Sequence, residues 1–524
     1  MRFSKALQSS SHSYPSPNGE LIAILLPPNI VIRAIASLDV LRNIKLPLDL
    51  TTSVTTFLWS PSSTRVLVAT IDQIHVFSAR SGNFHGVVRI PPSAGRSTYI
   101  NFGATDDEVC IWSPFGIKLT LVNFTSSKAV EIASPKFYSA VSATKGCSFR
   151  PETNHLALLT RSSGKDMISI HSPGTRELQR SWYPDTIDAQ GLVWTPDGRW
   201  LVVCESSAQS PRVIFYTSDG HIFKDWNGPL LHASEDMGLL GTGVKAFTLS
   251  PDGRLVAIAN GSTCICILNT PSMVETMRLH HPHVIQPKDT LQIWQEQNTL
   301  PNTGSVSVPG FVKASQAVTP QWTALNSLQE PVSGCNFAKF DCSSSLLATR
   351  LEDAPGTIWI WDLPSSDLRA VLMYHANVTK LEWHPVLPEL LLMRCEGDSY
   401  GSLMFAWDPL SHGPRPIDMA HQFPEALSGK TYATWMRART ESAALFFSNE
   451  TTCMLVSLAD SDGETLPWHD SMPGSPISHG SDINMQSSPR LAYEPDDAED
   501  SMNIDLDDDD YASELDDTFQ FISR

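Results

Sequence analysis

The chain has 524 residues, 41% hydrophobic and 18% charged, a composition that suits a globular core. Its net charge of −19 is unevenly placed: residues 460–524 hold 18 acidic residues against Arg490 and Arg524, a net of −16, which leaves −3 for residues 1–459. Neither part has the basic face that displaces counterions from nucleic acid, and the early apolar run at 21–26 stops at Pro27-Pro28, too short for a bilayer. The opening Met-Arg-Phe-Ser-Lys lacks the apolar core of a secretory signal. The expectation is an intracellular, soluble protein with protein partners, no nucleic acid and no membrane.

In chain order, the first element is a hairpin. Residues 14–24 place Ser16-Pro17-Asn18-Gly19 between two apolar runs. Proline presets the second turn position and Asn-Gly completes the reversal, so the flanking runs pair as antiparallel strands. Related units follow at 57–69 (Ser60-Pro61), 147–158 (Arg150-Pro151), 192–203 (Pro196-Asp197-Gly198), 247–258 (Ser250-Pro251-Asp252-Gly253) and 381–392 (His384-Pro385). Weaker copies sit at 99–112, 340–350 and 432–447. Most turns recur about every 40 to 45 residues, the period of a β-propeller blade of the WD type.

Each unit hides its apolar face only against its neighbours, so the repeat argues for one all-β domain, a propeller of about nine four-stranded blades over residues 1–459. Third strands are expected at 30–35, 73–77, 168–171, 213–216, 264–268 and 357–361, each followed by a more polar strand at the rim. The ninth unit runs to about residue 458 without an evident fourth strand, and residues 2–8 precede the first hairpin with no blade of their own. The N-terminal segment is therefore expected to complete the last blade and close a single ring.

One interval is about twice the others and contains an insertion at about 271–330. It holds His280-His281-Pro282-His283, a candidate strand at 291–295 and a stretch rich in Thr, Ser, Val and Pro. It reads as an arm projecting from the rim to meet a partner, as a hidden tenth unit, or as a disordered insertion. From residue 460 the chain turns to Ser and Pro, then to thirteen acidic residues between Glu494 and Asp517, the composition of a disordered acidic tail. Among those acids, Tyr511, Leu515, Phe519, Phe521 and Ile522 read as a short motif that orders on a partner, or as part of a solubilising tail.

No phosphate loop, nucleophile elbow, HExxH or paired CxxC occurs, so the expectation is no enzyme, with no catalytic, cofactor-binding or metal-ligating residues. The histidines at 280, 281 and 283 are the one metal-like cluster, but Pro282 and the lack of nearby Cys or acidic ligands favour a loop. Cys264 and Cys266 put two sulfurs on one face of a strand with no second pair to finish a zinc site. The nine cysteines are scattered, mostly inside apolar strand patterns, as small core residues of a reducing compartment are. Trp359, Trp361 and Trp383 form either a binding stripe or blade packing; Trp361-Asp362 and Trp407-Asp408 each end a third strand, which favours packing.

The segment Leu347-Ala348-Thr349-Arg350-Leu351-Glu352-Asp353-Ala354-Pro355-Gly356-Thr357-Ile358-Trp359-Ile360-Trp361-Asp362 resembles the hallmark of the centrosomal and spindle-pole WD-repeat family, WD-repeat protein eight. Further similarity lies in Tyr216-Thr217-Ser218-Asp219-Gly220, Gly243-Val244-Lys245, Ile267-Leu268-Asn269 and His281-Pro282, and their order matches across residues 1–459. The chain departs from the family at Gly103-Ala104-Thr105-Asp106, which replaces a Ser-Pro-Asp-Gly turn. The resemblance implies a non-enzymatic scaffold of the cytoplasm and cytoskeleton, at the centrosome or spindle pole body. There it would bridge a coiled-coil minus-end anchoring protein and a minus-end-directed kinesin among other spindle-pole components, tethering microtubule minus ends. No interface residue carries over, because the matched motifs build blades. A propeller-type translation initiation factor docking on the ribosome is the alternative, and the missing basic patch counts against it.

Overall fold

The computed structural model describes residues 1–50, 54–80, 82, 84–90, 99–228, 243–297, 309–323, 334–423, 430–437, 442–459 and 466–468. These residues form nine β-sheets arranged as the blades of one closed propeller, interrupted only by short 3-10 turns. No helix among them is long and apolar enough to cross a membrane. In the first blade the strands Ser13–Pro15, Leu21–Leu26, Asn29–Ala34 and Val40–Lys45 pair antiparallel in that order, from the channel to the rim. Blades two to six and blade eight repeat the pattern, and the second and third strands supply most of the buried core.

The turn chemistry works as the sequence demands. In blade five the Thr195 hydroxyl donates to the Asp197 carboxylate at 2.5 Å, and the Gly198 amide donates to the Thr195 carbonyl at 2.8 Å. Gly198 stands at φ 66°, where a side chain would strain the backbone. Ser250 with Asp252 and Ser16 with Asn18 repeat the hydroxyl-to-Asx bond, at 2.6 and 2.7 Å. At the departure in the third unit a carboxylate takes over. The Gly103 amide bonds the Glu108 carbonyl at 2.8 Å and the Ala104 amide bonds the Glu108 carboxylate at 3.1 Å.

The ring closes with the N-terminal segment. Arg2–Phe3 and Leu7–Gln8 both pair antiparallel with Thr452–Ser457, the third strand of blade nine, with Phe3 opposite Val456 and Leu7 opposite Cys453. Between them the Ser4 amide donates to the Leu455 carbonyl and the Leu455 amide returns to the Ser4 hydroxyl, each at 2.9 Å. The last blade thus gains its outer strand and loses its open edge.

The insertion is shorter than expected at its start and built differently. Residues 271–280 belong to blade six: Val274–His280 is its outer strand, paired with Cys264–Asn269. Its partly exposed, alternating pattern hid it from an apolar-run search. The strand forecast at 291–295 exists as Gln292–Gln297, which lies parallel to Asp367–Met373 at the rim of blade seven and carries Gly310–Lys313 outside it. Blade seven is therefore six-stranded, and the described part of the insertion is packed onto the ring and is not a free arm.

Alternation sets what each side chain does. Leu291 and Ile293 join the core between blades six and seven, while Trp294 joins the core between blades seven and eight. Glu296 is a buried carboxylate that accepts the Tyr400 hydroxyl and the His375 amide, both at 2.7 Å.

Residues 466–468 mark a second difference. Trp468, placed by its sequence in the tail, is 1% exposed and packs with Ile22, Ile35, Met436 and Phe446 in the seam between blades nine and one. A large apolar ring fills that wedge whatever its neighbours in sequence are. The rest of the expected tail, 460–465 and 469–524, lies outside the described residues.

Candidate functional site

Inner strands line a propeller's central channel, and here tryptophans fasten them to one another. Trp59 of blade two donates its indole N–H to the Tyr14 carbonyl of blade one, Trp383 of blade eight to Lys339 of blade seven, and Trp435 of blade nine to Glu382 of blade eight, each at 2.9 Å. Each tryptophan ends its own inner strand, so the bond is made at the same end of the channel every time.

At that end a cavity of about 560 Å³ opens between blades eight, nine, one and two. Tyr14, Phe57, Trp59, Tyr432 and Trp435 give it aromatic walls, Pro15, Pro17 and Pro385 stiffen its edge, and Arg437 is the single charged residue among the described ones that line it. The Tyr14 and Tyr432 rings meet edge to face at 5.4 Å, and Tyr14 lies 6.2 Å from Phe57. Burial pushes both phenols above the usual tyrosine range, so both are neutral hydroxyls at physiological pH. Lys380 sits 5.4 Å from the Tyr432 ring centroid and donates to the Ala433 carbonyl at 2.6 Å, which holds the inner strand of blade nine in place.

A wall of aromatics, prolines and one guanidinium binds by packing and by a single charge-assisted contact. Among the described residues that line it there is no nucleophile with an adjacent base. Its volume falls within the roughly 300–1,000 Å³ typical of ligand pockets. Aromatic residues and arginine at the centre of a concave surface are the groups that dominate protein–protein binding energies.

The residues singled out from sequence lie elsewhere and serve structure. His281 is 3% exposed and bonds the Thr263 carbonyl through Nδ1 at 2.6 Å and the Thr349 hydroxyl through Nε2 at 2.8 Å. Trp361 donates to the same hydroxyl at 2.9 Å. Burial pushes the His281 pKa down to about 4, so the imidazole is neutral, and with the proton on Nδ1 it donates to Thr263 and accepts the Thr349 hydroxyl. Trp359 and Trp361 stand edge-on to His281 at 5.0 and 5.2 Å, so these tryptophans are packing, as is Trp383.

His280 and His283 turn to other partners. His280 Nδ1 lies 2.8 Å from Cys264 Sγ, and the His283 ring meets Trp322 at 4.6 Å with the planes tilted by 44°. Cys266 is buried, its thiol pushed up to about 12. Among the described residues no three His, Cys, Asp or Glu side chains gather as a metal site requires. Sequence reading did not reach the channel mouth, because its lining comes from four blades at opposite ends of the chain; the repeated Trp ending an inner strand at 59, 383 and 435 was the available signal.

No family model matches the chain. An uncharacterized WD repeat-containing protein of Schizosaccharomyces pombe is 23% identical over 350 residues, 64% of this chain and 66% of that protein. The WD repeat-containing protein WRAP73 of Mus musculus is 24% identical over 422 residues, 75% of this chain and 84% of its own length. Its relatives are WD repeat-containing proteins. The described residues form a nine-bladed β-propeller similar to these WD-repeat proteins. Solved structures similar to it include the Dos1 propeller, with a TM-score of 0.46, 9% identity and coverage of 79% of this chain and 93% of that one. A eukaryotic initiation factor gives a TM-score of 0.48 and 11% identity, covering 79% of this chain and 89% of the other.

Proposed function

We propose that this WD-repeat propeller is a non-enzymatic scaffold of the spindle pole body or centrosome. It bridges a coiled-coil anchoring protein and a minus-end-directed kinesin, and so tethers microtubule minus ends. The observation that carries the reading is the segment Leu346–Leu351 and Thr357–Asp362 with its loop, in which the residues of the family hallmark build the Thr349, Trp359 and Trp361 core around His281. A closed ring whose inner strands are bonded across blade seams suits the role, because several partners can bind separate loops without distorting one another. The aromatic channel mouth is the surface proposed to take one of them.

The experiment is localisation of the tagged full chain together with affinity purification. One or two perinuclear foci and co-purification of a coiled-coil protein and a kinesin support the reading. Diffuse signal without either overturns it, and sedimentation with small ribosomal subunits turns the assignment to translation initiation.

A further inference from the structure

The cavity at the channel mouth has a chemistry, and the same chain carries its complement. Of the described residues that line it, five are aromatic, three are proline, one is a cation and none is an anion. Residues 494–522 contain thirteen acidic residues and neither lysine nor arginine. Within them Tyr511, Leu515, Phe519 and Ile522 fall at spacings of four, four and three, an apolar period of about 3.6 residues, among Asp507 to Asp510, Glu514, Asp516 and Asp517. Apolar anchors in such a register, set among acids, are what an aromatic groove with one arginine recognises.

Position on the ring selects this segment over a free peptide. Trp468 is buried in the seam between blades nine and one, against Met436, and the next residue, Arg437, lines the cavity. Trp468, the last described residue before the acidic segment, therefore sits beside the mouth. The 36 residues between Trp468 and Asp505 span roughly 30 Å as a flexible chain, enough to return across it. A tethered segment stands at an effective concentration of about a millimolar, so even a weak site is filled before a dilute competitor reaches it.

We propose that residues 505–522 of this chain dock in the channel mouth, with the aromatic face against Tyr14, Phe57 and Tyr432 and the acids facing Arg437. The mouth is then occupied in the resting protein, and a partner of similar acidic, aromatic chemistry enters by displacing the segment. This rests on reading the mouth as a protein-docking surface and goes beyond it by naming the occupant.

The test uses the full chain with p-benzoylphenylalanine in place of Leu58, a residue at the cavity edge, irradiated and mapped by mass spectrometry. Intramolecular crosslinks to peptides within 505–522 are expected. Phe519→Ala with Ile522→Ala, or Arg437→Glu, should reduce them by about tenfold, the loss that accompanies removal of one or two anchors. Crosslinks confined to the mouth's own strands overturn the proposal, and so do crosslinks to 505–522 that appear only as covalent dimers and rise with concentration. The two readings fail separately. If partners bind the mouth but the segment never crosslinks there, only this inference falls; if the segment crosslinks while mouth variants keep every partner, only the docking-surface reading falls.

Discussion

Arg176 of blade four grips Glu108 of blade three through two parallel bonds, Nε to Oε1 at 2.6 Å and a terminal nitrogen to Oε2 at 2.7 Å, with the two side chains 4% and 3% exposed. Glu108 also holds the Ala104 amide in the hairpin that lacks a Pro-Asp-Gly turn. One carboxylate thus replaces a turn motif and links two blades. Removing one partner leaves a buried charge alone, so Arg176→Ala should cost about 3–5 kcal/mol in denaturant unfolding. The double variant Glu108→Met with Arg176→Met should cost less than either single change, because no orphaned charge remains; a double variant worse than both would refute the argument.

Closure by the N-terminal segment predicts a global effect from a small deletion. Without residues 1–10, the third strand of blade nine loses its outer partners and Leu7 leaves the core. The melting temperature of the whole domain should fall by about 5 °C or more at fixed scan rate, since 1 kcal/mol shifts a large domain by about 2–4 °C or less. An unchanged melting temperature would mean that these strands contribute nothing to the ring.

The pH dependence has a definite sign. His281 is neutral in the fold with its pKa near 4, whereas in the unfolded chain it titrates near 6.5. Between those values the unfolded state takes up a proton that the folded state refuses, so stability falls as pH drops from about 6.5 to about 4, by on the order of 3 kcal/mol for this group. His384, whose Nδ1 accepts the Val386 and Leu387 amides, is likewise pushed down to about 4 by burial and adds to the same trend. Urea unfolding across this window should show a steep decline in the native chain and a shallower one in His281→Gln.

The inserted strand makes a local prediction. Glu296→Ala removes the buried acceptor shared by the Tyr400 hydroxyl and the His375 amide, and with it the bonds that tie the inserted strand to the ring beside blade eight. Amide exchange should rise within Gln292–Gln297 and Gly310–Lys313, with little change in blades one to five. Uniform exchange across the ring would show that the insertion is not a separable unit.

At the mouth, Tyr432→Ala and Arg437→Glu alter cavity walls while leaving the Trp435 to Glu382 bond intact. Partner capture by the full chain should drop by about tenfold or more with a melting temperature within about 2 °C of the parent, the pattern of a binding residue and not of a core one. Loss of capture together with lost stability would reassign both positions to structure.

Much of this fold was legible because its hairpins carry local chemistry. Pro196-Asp197-Gly198 specifies its turn within four residues, and Cys264–Asn269 is nearly continuous apolar sequence. What stayed hidden depends on distant partners. Val274–His280 is a half-exposed rim strand with no apolar run to betray it, and the parallel pairing of Gln292–Gln297 is decided by a blade whose strands come some seventy residues later. Trp468 sits in a polar stretch, and only the wedge between two blades explains its burial. The mouth was the least legible, since Tyr14 and Tyr432 become neighbours only after the ring has closed.

Closure of the ring has a consequence for how the protein is made. Ser4 and Leu455 are bonded across a separation of 451 residues, so during synthesis Arg2–Phe3 and Leu7–Gln8 lack their blade-nine partner until nearly the whole ring has been made. Each earlier blade can stack as it appears, but the toroid locks only in one late step. A chaperone that shields the leading residues during that wait would guard the slowest and most aggregation-exposed moment in the life of the chain.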